Sequence, residues 1–109
     1  MMNQKPFVLD LNDERAFQRL LDDKTQSCGM KAGRVYLNPG DSCGQHSTNQ
    51  REELLVFLAG SGRALIEGSD AFDVSVGKIV YIPPRTLHNV ENTGSEPLIY
   101  VYCVAPAGQ

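Results

Sequence analysis

Over its second half the chain is written in short apolar-rich runs, some of them alternating apolar with polar residues, each closed by Gly, Pro or Asn. That period of two is the mark of a β-strand with one buried face. The runs are Glu53 to Ala59, Arg63 to Glu67, Ala71 to Val76 with Phe72, Val74 and Val76 on one face, Ile79 to Ile82, Leu87 to Glu91 and Leu98 to Val104. Upstream, Ser27 to Leu37 and Gln45 to Thr48 read as strands, with Asn38-Pro39-Gly40 as a turn and Asn49 to Glu52 as a loop. Gly60-Ser61-Gly62 reads as a hairpin turn, and Phe7 to Leu11 as a further short strand. Only one segment has helical spacing: Asn12 or Asp13 caps a predicted helix through about Leu21, with Ala16, Phe17, Leu20 and Leu21 along one side. Its expected role is to cover part of a sheet or close a barrel end.

Short strands every ten residues or so, about nine or ten in all, predict an all-β antiparallel sandwich or barrel. Leu54-Leu55-Val56-Phe57-Leu58 departs from strict alternation, because both faces of that strand are apolar. Something must cover its outer face. A second copy of the chain is the first expectation and the amino-terminal helix the second, since contiguous exposed apolar area is rare on a monomer.

With 109 residues, 41% hydrophobic and 21% charged, the chain is expected to form one domain over residues 1–109. Such a domain buries about two thirds of its unfolded surface. A formal charge of −3, with acids and bases interspersed, offers no basic stripe to phosphates, so nucleic acid is not an expected partner. The opening MMNQKPFVLDLND has no signal-peptide core, and no apolar run reaches a membrane helix's length, so no membrane partner is expected and a cytoplasmic location is. Cys28, Cys43 and Cys103 form no Cys-x-x-Cys pair and read as reduced thiols. Cys43 lies three residues before His46, so in a regular strand the two point to opposite faces, and a shared role needs a bulge or bend.

Two stretches hold polar residues at spacings that packing does not require: GDSCGQHSTNQREELLVFLAG from Gly40 to Gly60, and GKIVYIPPRTLHNVEN from Gly77 to Asn92. Each supplies one histidine. Gly40, five residues, His46, Ser47, Thr48, four residues, Glu53, six residues, Gly60 resembles the first motif of the cupin superfamily, with Thr48 where a second His belongs. Gly77, five residues, Pro83, Pro84, Arg85, two residues, His88, three residues, Asn92 resembles the second, with Arg85 in a glycine slot. The resemblance covers about half the chain and implies a jelly-roll β-barrel, the short amino-terminal helix beside it.

The resemblance also implies that His46, Glu53 and His88 bind a divalent metal, with Thr48 at a lost fourth position. Residue parity agrees, since His46 and Thr48 share a strand face and an inward Glu53 carries Leu55 and Phe57 inward with it. A buried carboxylate there needs a cation or a protonated histidine as partner. Two imidazoles and one carboxylate suit iron, and manganese, nickel, cobalt or zinc can occupy similar groups. Such a site leaves positions open to polarise a carbonyl or activate oxygen or water.

Gln50 or Glu52 is a candidate replacement ligand from the loop, and Arg34, Tyr36, Tyr81, Tyr100 and Tyr102 are candidate cavity residues. The last strand allows two pleats, Tyr100 and Tyr102 inward or Ile99, Val101 and Cys103 inward. Arg85 in the glycine slot implies a turn without positive φ, its side chain a surface charge. Three classes follow: a metal-dependent enzyme, dioxygenase-like or isomerase-like, acting on a small oxygenated substrate; a binding module without chemistry; and a metal-free barrel, because Thr48 replaces a histidine. A homodimer is the expected assembly.

Overall fold

In the computed structural model, which describes residues 4–108, the chain forms nine β-strands. They are β1 (Gln18–Leu21), β2 (Lys31–Leu37), β3 (His46–Ser47), β4 (Arg51–Ala59), β5 (Ser61–Ile66), β6 (Phe72–Ser75), β7 (Ile79–Ile82), β8 (Leu87–Glu91) and β9 (Leu98–Pro106). Two antiparallel sheets face each other as a jelly roll. One has the order β1-β2-β9-β4-β7 and the other β3-β8-β5-β6.

The register of the larger sheet arranges its inner face in rungs. Val35, Tyr100 and Phe57 form one, Tyr102, Leu55 and Val80 the next, and Lys31, Val104, Glu53 and Ile82 the last. The apolar rungs meet Ala64, Ile66, Val74 and Val90 of the smaller sheet in the core. Polarity therefore rises along the barrel axis, and the Glu53 rung marks the polar end. At the other end Asn92 is buried, and its side-chain amide donates to the carbonyls of Leu37 and Glu96 at 2.9 and 2.8 Å, closing the barrel.

Four expectations need correction. Among the described residues there is no helix, and none long and apolar enough to cross a membrane. The segment expected to be helical runs extended and then pairs with β2, because Arg34 takes the carbonyls that a helix would have used. Its guanidinium donates to the backbone oxygens of Asn12, Glu14 and Ala16 and to Asn12 Oδ1. A buried, always charged group with four acceptors outweighs helix propensities of tenths of a kcal/mol per residue. Phe7 to Leu11, the other expected element there, is not a strand either.

The supposed hairpin at residues 60–62 is a crossing between sheets, since β4 and β5 belong to different ones. Gly60 makes the turn at φ 82°, where a Cβ would stand 2.2 Å from the Pro97 carbonyl oxygen. Only glycine fits that approach. The loop expected over residues 49–52 is also shorter, because β4 begins at Arg51.

Leu54 (42% exposed), Ile79 (57%) and Tyr81 (55%) lie side by side on the outer face of the larger sheet. The amino-terminal segment lies across Arg34 of β2, at the other edge of this sheet.

Candidate metal centre

His46 and His88 stand directly opposite each other on paired strands β3 and β8, and Glu53 faces them from β4 of the other sheet. The two rings meet edge to face, their centroids 4.2 Å apart. One ligand atom from each of the three residues falls within 4.8 Å of the others. The site thus bridges the two layers at the polar end of the barrel.

Each imidazole is oriented through its Nδ1. His88 Nδ1 lies 3.1 Å from the Thr86 carbonyl oxygen, and His46 Nδ1 lies 3.0 Å from that of Gly44. A carbonyl only accepts, so both Nδ1 atoms carry the proton and both Nε2 atoms, when the rings are neutral, present a lone pair. His88 Nε2 is buried 3.3 Å from Glu53 Oε1 and is not aligned for a hydrogen bond with any described residue. A lone pair facing a carboxylate oxygen in a buried site is repulsive unless a proton or a cation lies between them. Burial works to lower the pKa of His88, but the Glu53 carboxylate and the Thr86 carbonyl outweigh it and hold the value above the ordinary 6.5. The donor set therefore fits a divalent cation: two neutral imidazoles and one carboxylate, with one nitrogen otherwise unpartnered.

Beside the three residues opens a cavity of about 840 Å³. Its apolar wall is Val35, Leu55, Val90 and Val104, and Tyr100 and Tyr102 project into it. The final strand thus takes the pleat that turns both tyrosines inward. Burial holds the Tyr100 hydroxyl well above its usual pKa, reinforced by the neighbouring Cys43 thiol, and burial raises Tyr102 as well. Both phenols are hydrogen-bond donors at neutral pH and cannot act as bases there.

Thr48, at the position of a lost histidine, is occupied elsewhere. Its hydroxyl donates to the Pro83 carbonyl at 2.6 Å and accepts from the Thr86 amide at 3.1 Å, which latches the β3–β4 turn to the β7–β8 turn. It lines the cavity as a structural clasp. Gln50 also reaches the cavity rim.

Glu52, Tyr36, Arg34 and Tyr81 do not reach the cavity, which corrects their candidacy. Glu52 is one residue from Glu53 and so points to the outer face, where its carboxylate accepts from Tyr81 Oη at 2.8 Å. Tyr36 pairs across from Ile99 and Arg34 across from Val101, both outward, with Arg34 buried beneath the amino-terminal segment.

Three charged residues line the cavity that the sequence pattern did not place there. Lys31 shares inward parity with Val35 in β2, a signal that parity counting could have found. Arg51 has the parity of Glu53 and is tied to Asp23 at 2.9 Å. Arg85 adopts φ 54°, contrary to the expectation of a turn without positive φ, and its side chain borders the cavity. Cys43 also lies in the wall, and Gly44, at φ 95°, supplies the bend that brings it round to the face of His46.

The Cupin domain family matches residues 33–104 of the chain. An uncharacterized protein of Methanocaldococcus jannaschii is 36% identical over 56% of this chain and 48% of its own length. A glucose-6-phosphate isomerase of Pyrococcus abyssi is 35% identical over 51% of this chain and 32% of the enzyme. The chain thus spans less than half the length of these relatives. Among solved structures, a protein of Bacillus halodurans superposes with a TM-score of 0.80 at 24% identity, covering 96% of this chain and 84% of that one.

Proposed function

The chain belongs to the cupin domain family, and from that premise we propose that it holds one divalent metal ion through His46, Glu53 and His88 and acts as a metal-dependent enzyme on a small oxygenated molecule. The observation that carries this reading is the unpartnered His88 Nε2 facing the Glu53 carboxylate. Iron, manganese, nickel, cobalt and zinc all suit the donor set. Bound there, the ion supplies Lewis-acid polarisation of a carbonyl or enolate oxygen, or activates dioxygen or water.

The chain's own residues would do the rest. Val35, Leu55, Val90 and Val104 keep the wall dry, which strengthens polar contacts inside it. Tyr100 and Tyr102 donate hydrogen bonds to ligand oxygens, and being protonated they orient the ligand and do not remove its protons. Thr48 holds the two turns beside the histidines and leaves the fourth ligand position open. Isomerisation is the favoured reaction class over dioxygenation, because a glucose-6-phosphate isomerase is among the relatives that share this half of the chain.

The test is a screen of iron- and manganese-loaded protein for isomerisation of small sugars and for oxygen consumption, with Glu53→Gln beside it. Turnover that Glu53→Gln abolishes is the expected result. Ligands that raise the melting temperature by mass action without any product would replace the enzyme with a binding module.

We also propose that the outer face around Leu54, Ile79 and Tyr81 receives a second copy of the chain. The amino-terminal segment crosses this sheet at the opposite edge, and a two-fold pairing sets this apolar patch against itself. Leu54→Glu should halve the mass seen by light scattering; an unchanged mass removes this interface.

A further inference from the structure

We propose that the molecule held in the cavity carries an acid group, a carboxylate or a phosphate, and that Arg85 is the residue that selects it; this rests on reading the cavity as the ligand site. The cavity's charge is opposite to that of the chain. The whole sequence carries −3, yet the ionised groups bordering the cavity are Lys31, Arg51 and Arg85 against the single carboxylate of Glu53. Glu53 faces His88, and Arg51 is paired with Asp23. Lys31 and Arg85 have no ion-pair partner among the described residues. Two free cations therefore flank the opening, Lys31 from the larger sheet and Arg85 from the turn that leads into β8.

The backbone at Arg85 makes the stronger argument. Arg85 sits at φ 54°, and its amide donates at 2.7 Å to the carbonyl of Asn49, itself at φ 55°. The left-handed region is uncommon for residues other than Gly, Asn and Asp, and a long side chain there is strained. Asn49 is of the tolerated kind. Arg85 is not, and glycine would serve the turn better. No hydrogen bond within the described chain explains the arginine, since only its amide is engaged. Strain kept beside a cavity, with a guanidinium left unpaired at the rim, is accounted for if that guanidinium has a ligand to hold. A guanidinium grips carboxylate and phosphate oxygens through two parallel hydrogen bonds, and both anions meet this requirement. Such a ligand would extend from the His46–Glu53–His88 cluster, where its reacting oxygen lies, toward the rim, where its acid group lies.

Matched probes separate charge from shape: glycerol 3-phosphate against glycerol, and lactate against propane-1,2-diol, each titrated calorimetrically into wild type, Arg85→Gly and Arg85→Lys. The titrations are run with manganese and after its removal, and manganese content is measured for each protein. In at least one pair the acid should bind about tenfold or more tightly than its neutral partner, which is the scale of a charge-assisted contact. The pair showing this identifies phosphate or carboxylate. Arg85→Gly should erase the preference while keeping the wild-type manganese content and an equal or higher melting temperature, so that unfolding is not the cause. Arg85→Lys should keep part of it. Equal binding of acid and neutral partners, an unchanged preference in Arg85→Gly, or no acid binding up to about 10 mM overturns the proposal. A wild type that takes up no manganese but still prefers the acid removes the metal reading alone.

Discussion

Replacing Thr48 with valine separates a structural clasp from a metal ligand, because the change removes a hydroxyl and keeps the shape. The hydroxyl joins two turns through bonds of 2.6 Å to the Pro83 carbonyl and 3.1 Å from the Thr86 amide. Pro83 is exposed, so its carbonyl can turn to water. The Thr86 side is buried, and its amide loses an acceptor that water cannot readily replace. Leaving one buried donor unsatisfied costs about 1–3 kcal/mol, out of total stabilities of about 5–15 kcal/mol for domains of this kind. Urea denaturation of the metal-free proteins should show that loss as a lower midpoint at constant slope, and heating should show a fall of about 4 °C or more per kcal/mol. Elemental analysis of the folded variant should find the same metal content as the parent. Stability equal to wild type would refute the clasp. A variant that stays as stable as the parent but loses its metal would make Thr48 a ligand.

Further consequences concern pH and the turn between the sheets. In the metal-free protein the pKa of His88 is held above the ordinary 6.5 by Glu53 and the Thr86 carbonyl despite burial, so the pair's contribution is complete below about pH 6.5. It is lost as pH rises through the higher folded value. The melting-temperature difference between wild type and Glu53→Gln in EDTA should therefore shrink with rising pH; a difference that grows would reverse the assignment. Metal requires the neutral imidazole, so the rise in melting temperature on adding manganese should increase over the same range. Gly60→Ala forces a Cβ to within 2.2 Å of the Pro97 oxygen at φ 82° and should cost more than about 2 kcal/mol in urea denaturation, the left-handed penalty being only part of it. A smaller loss would mean that the crossing between sheets is less tightly packed than the geometry indicates.

The extent to which the fold could be read from the chain follows from how local each signal is. Ile79–Ile82 and Leu87–Glu91 were legible to the residue, because short apolar-rich runs bounded by glycine, proline and asparagine are complete within a few positions. The partners of those strands were less so. Gly60-Ser61-Gly62 looks like a hairpin turn in isolation, and only the pairing of β4 with β7 and β9 reveals that it joins two sheets. The expected helix failed for a non-local reason, since its competitor was Arg34, some twenty residues away, drawing backbone carbonyls onto a buried guanidinium.

At the site, the motif spacing that resembles the cupin superfamily was enough to bring His46, Glu53 and His88 together as candidates, and strand parity agreed for His46 and Glu53. Parity also separates Glu53 from Glu52, once β4 is seen to begin at Arg51. The φ of Arg85 was not legible, because the residue type argues against the conformation that the turn imposes.

The most direct measurement is elemental analysis of protein purified without chelator or histidine tag, beside His46→Ala and His88→Ala variants whose folding is checked by circular dichroism. The account predicts close to one divalent ion per chain in the parent and little in either variant, with the barrel intact in all three. A parent that holds no metal even after reconstitution, or variants that retain it, would contradict the claim that His46, Glu53 and His88 form a metal centre.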